Sequence, residues 1–231
     1  MAKGAKPSSS SSSGATLILP PYLYLGPKTA ATPALLSSSS SPGRAGGTTQ
    51  WHVLSIGATP PGAPVPGVTY HRLSLLDDPE AGVDEVVERA CVIIGDVARS
   101  WSDVTGKIDA NTNTSTSTAA SVLAKVKAQS KGNSGVGGAG VGGGTKKKIL
   151  IHCSAAVSRS PTIVAAYLMR HHNMTLREAL GTIIRARPAV CPNPGFLKQL
   201  QELDVRIHGA GSLDGVEVLP GRKEERVKLF A

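Results

Sequence analysis

The residues of this 231-residue chain whose types and spacing point most directly to chemistry lie in the stretch ILIHCSAAVSRSPT, residues 149–162. Cys153 and Arg159 are separated by five residues, with an apolar run before the cysteine and a helix-compatible run after the arginine. A loop between a strand's C-terminal end and a helix N-terminus turns successive backbone N–H groups inward. The helix dipole adds positive potential there, so such a loop binds anions. In that setting the thiol of Cys153 is expected to fall from about 8.5 into the range of about 3.5–7.5, a thiolate at neutral pH. The planar fork of Arg159 can meet two oxygens of a phosphate. A thiolate and a tetrahedral dianion held together describe nucleophilic attack on phosphorus.

The elements that must position this loop are readable on either side of it. KKKILIHC predicts a strand running straight into the loop, and SPTIVAAYLMRHHN predicts a helix with Pro161 in its first turn, where a missing N–H does no harm. TLRE, residues 175–178, reads as a capping box opening a helix through Arg187, which Pro188 ends. A last helix is expected near PNPGFLKQLQELD, with Phe196, Leu197, Leu200 and Leu203 on one face. Upstream, residues 16–27 read as one short strand with a proline-containing entry, followed by a short helical turn. WHVLSI (51–56) and VTYHRLSL (68–75) read as two further strands. Apolar residues at Val83, Val86, Val87, Ala90, Ile94, Val97 and Trp101 keep helical spacing. Strands alternating with helices argue for an α/β fold, a central, mostly parallel twisted sheet flanked by helices.

HCSAAVSRSPT resembles the signature of the cysteine-dependent protein phosphatases, and its Ser-Arg-Ser ending is similar to the dual-specificity branch. LYLGPKTAAT (23–32) resembles that branch's opening strand and turn, and RPAVCPNPGFLKQL (187–200) its closing segment. The resemblance implies a phosphatase-type single domain and assigns roles residue by residue. Cys153 is the nucleophile that forms a phosphocysteine intermediate, and Arg159 binds the phosphoryl oxygens. Ser160 donates to the departing thiolate, while His152 orients the loop and helps stabilise the thiolate. Ser154, Ala155, Ala156, Val157 and Ser158 line the phosphate. The general acid is an aspartate on the loop after the strand containing Leu73. Residue counting from Leu73 favours Asp77 over Asp78. No cofactor and no metal ion is implied.

One position departs from the family pattern, which has glycine where this chain has Ala156. With φ positive there, alanine costs about 1–2 kcal/mol and strains the cradle. With φ negative it adds only a methyl. Sequence alone leaves both open.

Composition bounds the rest. Residues 7–14 are nearly pure serine, 37–49 are rich in Ser, Gly and Pro, and 102–148 are Ser, Thr, Gly and Lys. These segments bury too little apolar surface to offset the entropy of ordering. Removing them leaves about 150 residues, enough for one core. The expected organisation is a disordered N-terminus (1–14), a catalytic domain over 15–208 with disordered insertions at about 37–49 and 102–148, and a C-terminal tail (209–231). The net charge of +9 is carried by residues 1–14, the 102–148 insertion and the stretch from Leu219. A basic patch on a folded face, and hence a nucleic-acid partner, is therefore not expected. Three scattered cysteines suggest neither a disulfide framework nor a zinc site. Cys91 reads as a small buried hydrophobe and Cys191 as a loop cysteine rather than a redox partner of Cys153. His171 and His172 end a helix, where a cation complements the dipole. No apolar run reaches transmembrane length and no signal peptide is visible, so a cytoplasmic or nuclear setting is expected.

Three functions share this chemistry. The favoured one is a protein phosphatase acting on phosphotyrosine and phosphoserine/threonine, with a phosphorylated protein as its partner. The others are a weak or inactive phosphate-binding adaptor, and an enzyme of non-protein substrates such as phosphoinositides or RNA 5′-phosphates. The thiol, guanidinium, acid and hydroxyl are all present, which argues against an adaptor. The loop lacks extra lysines, and aromatic residues make up 3% of the chain, which argues against polyphosphorylated headgroups and carbohydrates.

Overall fold

The computed structural model describes residues 14–37, 49–102 and 145–231. The low-complexity stretches expected to be disordered lie, apart from their edges, outside the described residues. Five strands form one sheet: β1 (Thr16–Leu19), β2 (Leu23–Pro27), β3 (Thr49–Ile56), β4 (Thr69–Leu73) and β5 (Lys146–Cys153), in the order β1-β2-β5-β3-β4. β2, β5, β3 and β4 run parallel, and β1 pairs antiparallel with β2 at one edge. The single strand expected over 16–27 is therefore two strands. Pro20 and Pro21 lack the N–H groups a ladder needs, and the chain reverses there.

β5 is the central strand, and Ile149, Leu150 and Ile151 are fully buried on it. One face of the sheet carries Leu54, Ile56, Ile149 and Ile151, covered by α2 (Asp84–Ser102), α3 (Arg159–His172), α4 (Leu176–Ala186) and α5 (Pro194–His208). The opposite face packs Trp51, Val53 and Leu150 against Leu36 of the short α1 (Pro33–Ser37) and the partly buried Val65 and Val68. α3 is buried continuously from Ser160 to Met169, so its axis is fixed by packing on every side. The capping box of α4 is fully formed: Thr175 accepts from the Glu178 N–H, and the Glu178 carboxylate accepts from the Thr175 N–H at 2.8 Å.

Two sequence boundaries move. Lys146, Lys147 and Lys148, counted with the insertion, belong to β5. Lys148 Nζ lies 5.7 Å from the Trp51 ring and Lys146 Nζ 5.5 Å from the Trp101 ring, so part of the positive charge sits on folded structure. The stretch after residue 208, read as a tail, carries α6 (Lys223–Leu229) and adds Leu213, Leu219 and Phe230 to the core. Its apolar residues are too widely spaced to show helical periodicity. Instead, the buried Arg226 ties it down by donating to the carbonyls of Pro188, Pro220 and Gly221.

Candidate active site

Because β5 ends at Cys153 and α3 starts at Arg159, residues 154–158 form a loop clamped at both ends by buried elements. Cys153 sits at its base, 2% exposed. Burial pushes its thiol up, but four donors outweigh that effect: the Ser160 hydroxyl at 3.2 Å and the backbone N–H groups of Ser160, Ala156 and Ala155. The net result is a thiol below its ordinary value, because these groups all donate to the sulfur and so favour its anion. Ser160 thus touches the sulfur as its expected role requires.

Arg159 is anchored by the ends of two other loops. Its Nη1 donates to the Gly57 carbonyl at 3.2 Å and the Leu75 carbonyl at 3.4 Å, and its Nη2 donates to Ser154 Oγ at 2.9 Å. Gly57 has φ +65°, and a Cβ there would run into the Leu75 carbonyl and the guanidinium itself, so only glycine fits.

The two candidate aspartates separate cleanly. Asp77 Oδ1 accepts from Ser158 Oγ at 2.7 Å and from Asn193 Nδ2 at 3.1 Å, while Oδ2 lies 3.6 Å from Arg159 Nε. Asp78 instead accepts from the Glu80 N–H at 2.9 Å, a turn contact. Asn193 is itself held in place: its Oδ1 caps α5 through the Phe196 N–H at 2.9 Å, and its own N–H donates to Ser158 Oγ at 3.1 Å.

His152 does not touch the sulfur. Its Nδ1 lies 3.3 Å from the Cys153 carbonyl and its Nε2 2.8 Å from Ser55 Oγ. A carbonyl only accepts, so Nδ1 carries the proton and Nε2 accepts from the serine hydroxyl. Burial holds the ring below its ordinary pKa. His152 therefore meets the loop as a neutral ring bonded to the Cys153 carbonyl and Ser55, and its expected help to the thiolate does not come through contact with the sulfur. His171 and His172 are likewise pulled down, first by burial, so they are not dipole-complementing cations. Cys91 is buried, its thiol pushed up to about 12 by desolvation.

Ala156 has φ +56°, the left-handed conformation, and is completely buried within the main core. The question left open by the sequence is thus resolved: the strain is present, with the side chain packed in the core while the N–H serves Cys153. Three carbonyls of the loop are engaged from outside it. Ser154 O accepts from the Lys28 N–H at 3.3 Å, Val157 O from the Cys191 N–H at 2.8 Å, and Ala155 O from Arg187 Nη2 at 3.5 Å. Cys191 is therefore a neighbour of the loop through its backbone.

Ser55, Gly57, Arg187 and Asn193 belong to the site's support and were not singled out from the sequence. Asn193 carried a signal, an asparagine directly before a proline that opens a helix. Ser55 carried none, because only sheet register sets it opposite His152.

Residues 143–206 match the family model described as dual specificity phosphatase, catalytic domain. The chain is 52% identical over 62 residues to dual specificity protein phosphatase 13B of Mus musculus, covering 27% of this chain and 31% of that protein. It is also 52% identical over 56 residues to dual specificity protein phosphatase 1 of Arabidopsis thaliana, covering 24% and 28%. Among solved structures, a variant of human DUSP28 aligns with a TM-score of 0.54 at 25% identity, covering 85% of this chain and 97% of that one. Over residues 143–206 the chain is thus similar to the catalytic domain of the dual-specificity phosphatases. A mouse putative dual specificity phosphatase complexed with zinc tungstate shares the fold, with a TM-score of 0.57 at 22% identity over 89% of this chain and 96% of that one. The matched stretch spans about a third of the length of the curated dual-specificity phosphatases. It contains the whole of β5, α3 and α4, the loops between them and most of α5, and with them the site residues other than Ser55 on β3 and those on the loops after β3 and β4.

Proposed function

We propose that this domain is a protein phosphatase that hydrolyses phosphotyrosine and phosphoserine/threonine esters through a phosphocysteine on Cys153. The observation that carries the reading is the sulfur itself. It is buried yet lies below its ordinary pKa, held by donors from Ala155, Ala156 and Ser160 at the entrance of α3. Arg159 and the loop N–H groups bind the phosphoryl oxygens. The Cys153 thiolate attacks phosphorus as the ester P–O bond breaks, and the leaving oxygen takes a proton from the Asp77 carboxylic acid. Water then attacks phosphorus and gives a proton to the Asp77 carboxylate. The P–S bond breaks, releasing inorganic phosphate, and the Ser160 hydroxyl receives the returning thiolate charge.

The test is hydrolysis of a small aryl phosphate and of phosphotyrosine and phosphothreonine peptides. Wild-type turnover is expected, with turnover at background in Cys153→Ser and phosphate binding retained. The strained Ala156 favours a second reading, a phosphate-binding adaptor with little turnover. A wild type without Cys153-dependent turnover that gains it in Ala156→Gly establishes the adaptor instead. Turnover of a phosphoinositide or an RNA 5′-phosphate far above that of any phosphopeptide redirects the substrate class.

A further inference from the structure

Arg187 is a charged side chain that the chemistry above leaves unused. The proline that follows disfavours a helical conformation at residue 187, and Arg187 closes α4 with φ −143° and ψ 83°. Its N–H still bonds the Ile183 carbonyl at 2.8 Å, while its side chain reaches β1 and the Cys153–Arg159 loop. There it is 3% exposed. Nη1 donates to the Gly14 carbonyl at 3.2 Å and Thr16 Oγ1 at 3.5 Å, Nη2 donates to the Ala155 carbonyl at 3.5 Å, and the buried Nε has no partner. Among the described residues, no carboxylate forms an ion pair with it.

A buried guanidinium without a counter-ion is strongly unfavourable unless something nearby carries negative charge. Arg226, the other buried arginine, solves this with four bonds to carbonyls, two of them shorter than 3.0 Å. Arg187 has fewer and longer bonds, and Cys153 is the ionisable group whose charge it feels. Its contact with the loop is also specific in direction. In a trans peptide the carbonyl of residue 155 and the N–H of residue 156 point opposite ways. Drawing the Ala155 carbonyl toward Arg187 therefore aims the Ala156 N–H at the sulfur, at the residue whose backbone is left-handed.

We propose that Arg187 is a positioning residue for Cys153, bracing the Ala155–Ala156 peptide from behind the loop and presenting the thiolate with a buried positive charge. It rests on the functional reading only in taking that thiolate as the nucleophile. The titratable and charged groups gathered around the sulfur are His152 on β5, Arg159 on α3, Asp77 on the loop after β4, and Arg187 at the end of α4. His152 is neutral and Arg159 is partnered by Asp77, which leaves Arg187 as the cation without a competing carboxylate.

The experiment is the pH dependence of iodoacetamide alkylation at Cys153, read on the Cys153 peptide by mass spectrometry in the full chain. Arg187→Met and Arg187→Gln are expected to raise the alkylation midpoint by about one pH unit, the scale of an opposite charge lost at short range. Arg187→Lys, which keeps a cation in place, is expected to stay within a few tenths of the wild type. A folded Met or Gln variant with the wild-type midpoint overturns the proposal. If neither folds, Arg187→Ala is read with and without added guanidinium ion: a midpoint that falls toward the wild type as guanidinium is added supports the proposal, and one that does not move overturns it. Alkylation requires no turnover. A wild type that fails to hydrolyse phosphate esters but has an acidic, Arg187-dependent thiol sinks the functional reading and leaves this one standing.

Discussion

The loop holding Cys153 and the loop holding Asp77 meet at one site but are secured differently. Between Cys153 and Arg159, backbone N–H groups converge on the sulfur, and the carbonyls of Ser154, Ala155 and Val157 are bonded to Lys28, Arg187 and Cys191. The stretch from Ser74 to Val83 is mostly exposed, and its ties outside itself are shared between Ser158 and Arg159 on one side and α5 with the residue before it on the other. Asn193 holds Asp77, Gln199 donates to the Ala81 carbonyl at 2.9 Å and accepts from the Val83 N–H at 2.9 Å, and Gly195 lies directly against the Pro79 backbone. The geometry around Cys153 is thus set largely by local backbone and a central strand, and that around Asp77 jointly by the Cys153–Arg159 loop and α5. Substitutions on α5 should accordingly damage leaving-group protonation while sparing the thiolate.

The strongest test of that division is Asp77→Asn. It is expected to lower kcat on alkyl phosphates by about 10²–10⁴-fold, with Cys153 alkylation unchanged. An equal effect from Asp78→Asn breaks the assignment, because Asp78 bonds only its own turn. Gly195→Ala comes next. A Cβ there overlaps the Pro79 backbone, so the acid loop must shift, and a loss of about 10²-fold is expected, again on alkyl esters more than on nitrophenyl phosphate. Equal losses on both esters would show that α5 supports the nucleophile loop as well.

Smaller effects belong to the nucleophile side. Ser160→Ala removes a donor to the thiolate, a charge-assisted bond of about 1.5 kcal/mol. Breakdown of the phosphocysteine should therefore slow about tenfold, producing a burst in rapid-mixing experiments. Because this donor lowers the thiol pKa, its loss moves the rising limb of kcat/KM to higher pH. Ala156→Gly is the mildest. It relieves the left-handed alanine and should stabilise the fold by about 1 kcal/mol in thermal unfolding, with kcat within a few-fold of wild type. A destabilised glycine variant would mean that methyl packing in the core outweighs the backbone strain.

Much of this was legible in the chain because the deciding signals are local. The capping box at Thr175 and Glu178, the apolar run into Cys153 and the five-residue interval to Arg159 act over a few neighbouring residues. The reversal at Pro20 and Pro21 and the docking of α6 were misread because each depends on partners far along the chain. Leu213, Leu219 and Phe230 carry no periodic pattern of their own, and only the surface they meet makes them core. Where the His152 ring points was not legible for the same reason, since its partner Ser55 comes from a neighbouring strand.

The sequence by itself determined that Cys153, Arg159 and Ser160 share one strand-to-helix loop and that strands alternate with helices, because the spacing of one loop and the periodicity of its flanks specify these. Only the tertiary structure decided which aspartate faces the site, that Ala156 is left-handed, and that a buried arginine stands behind the loop. Those outcomes depend on where α4, α5 and the loop after β4 come to rest around β5, and the free energy of placing them is spread over contacts between residues distant in the chain.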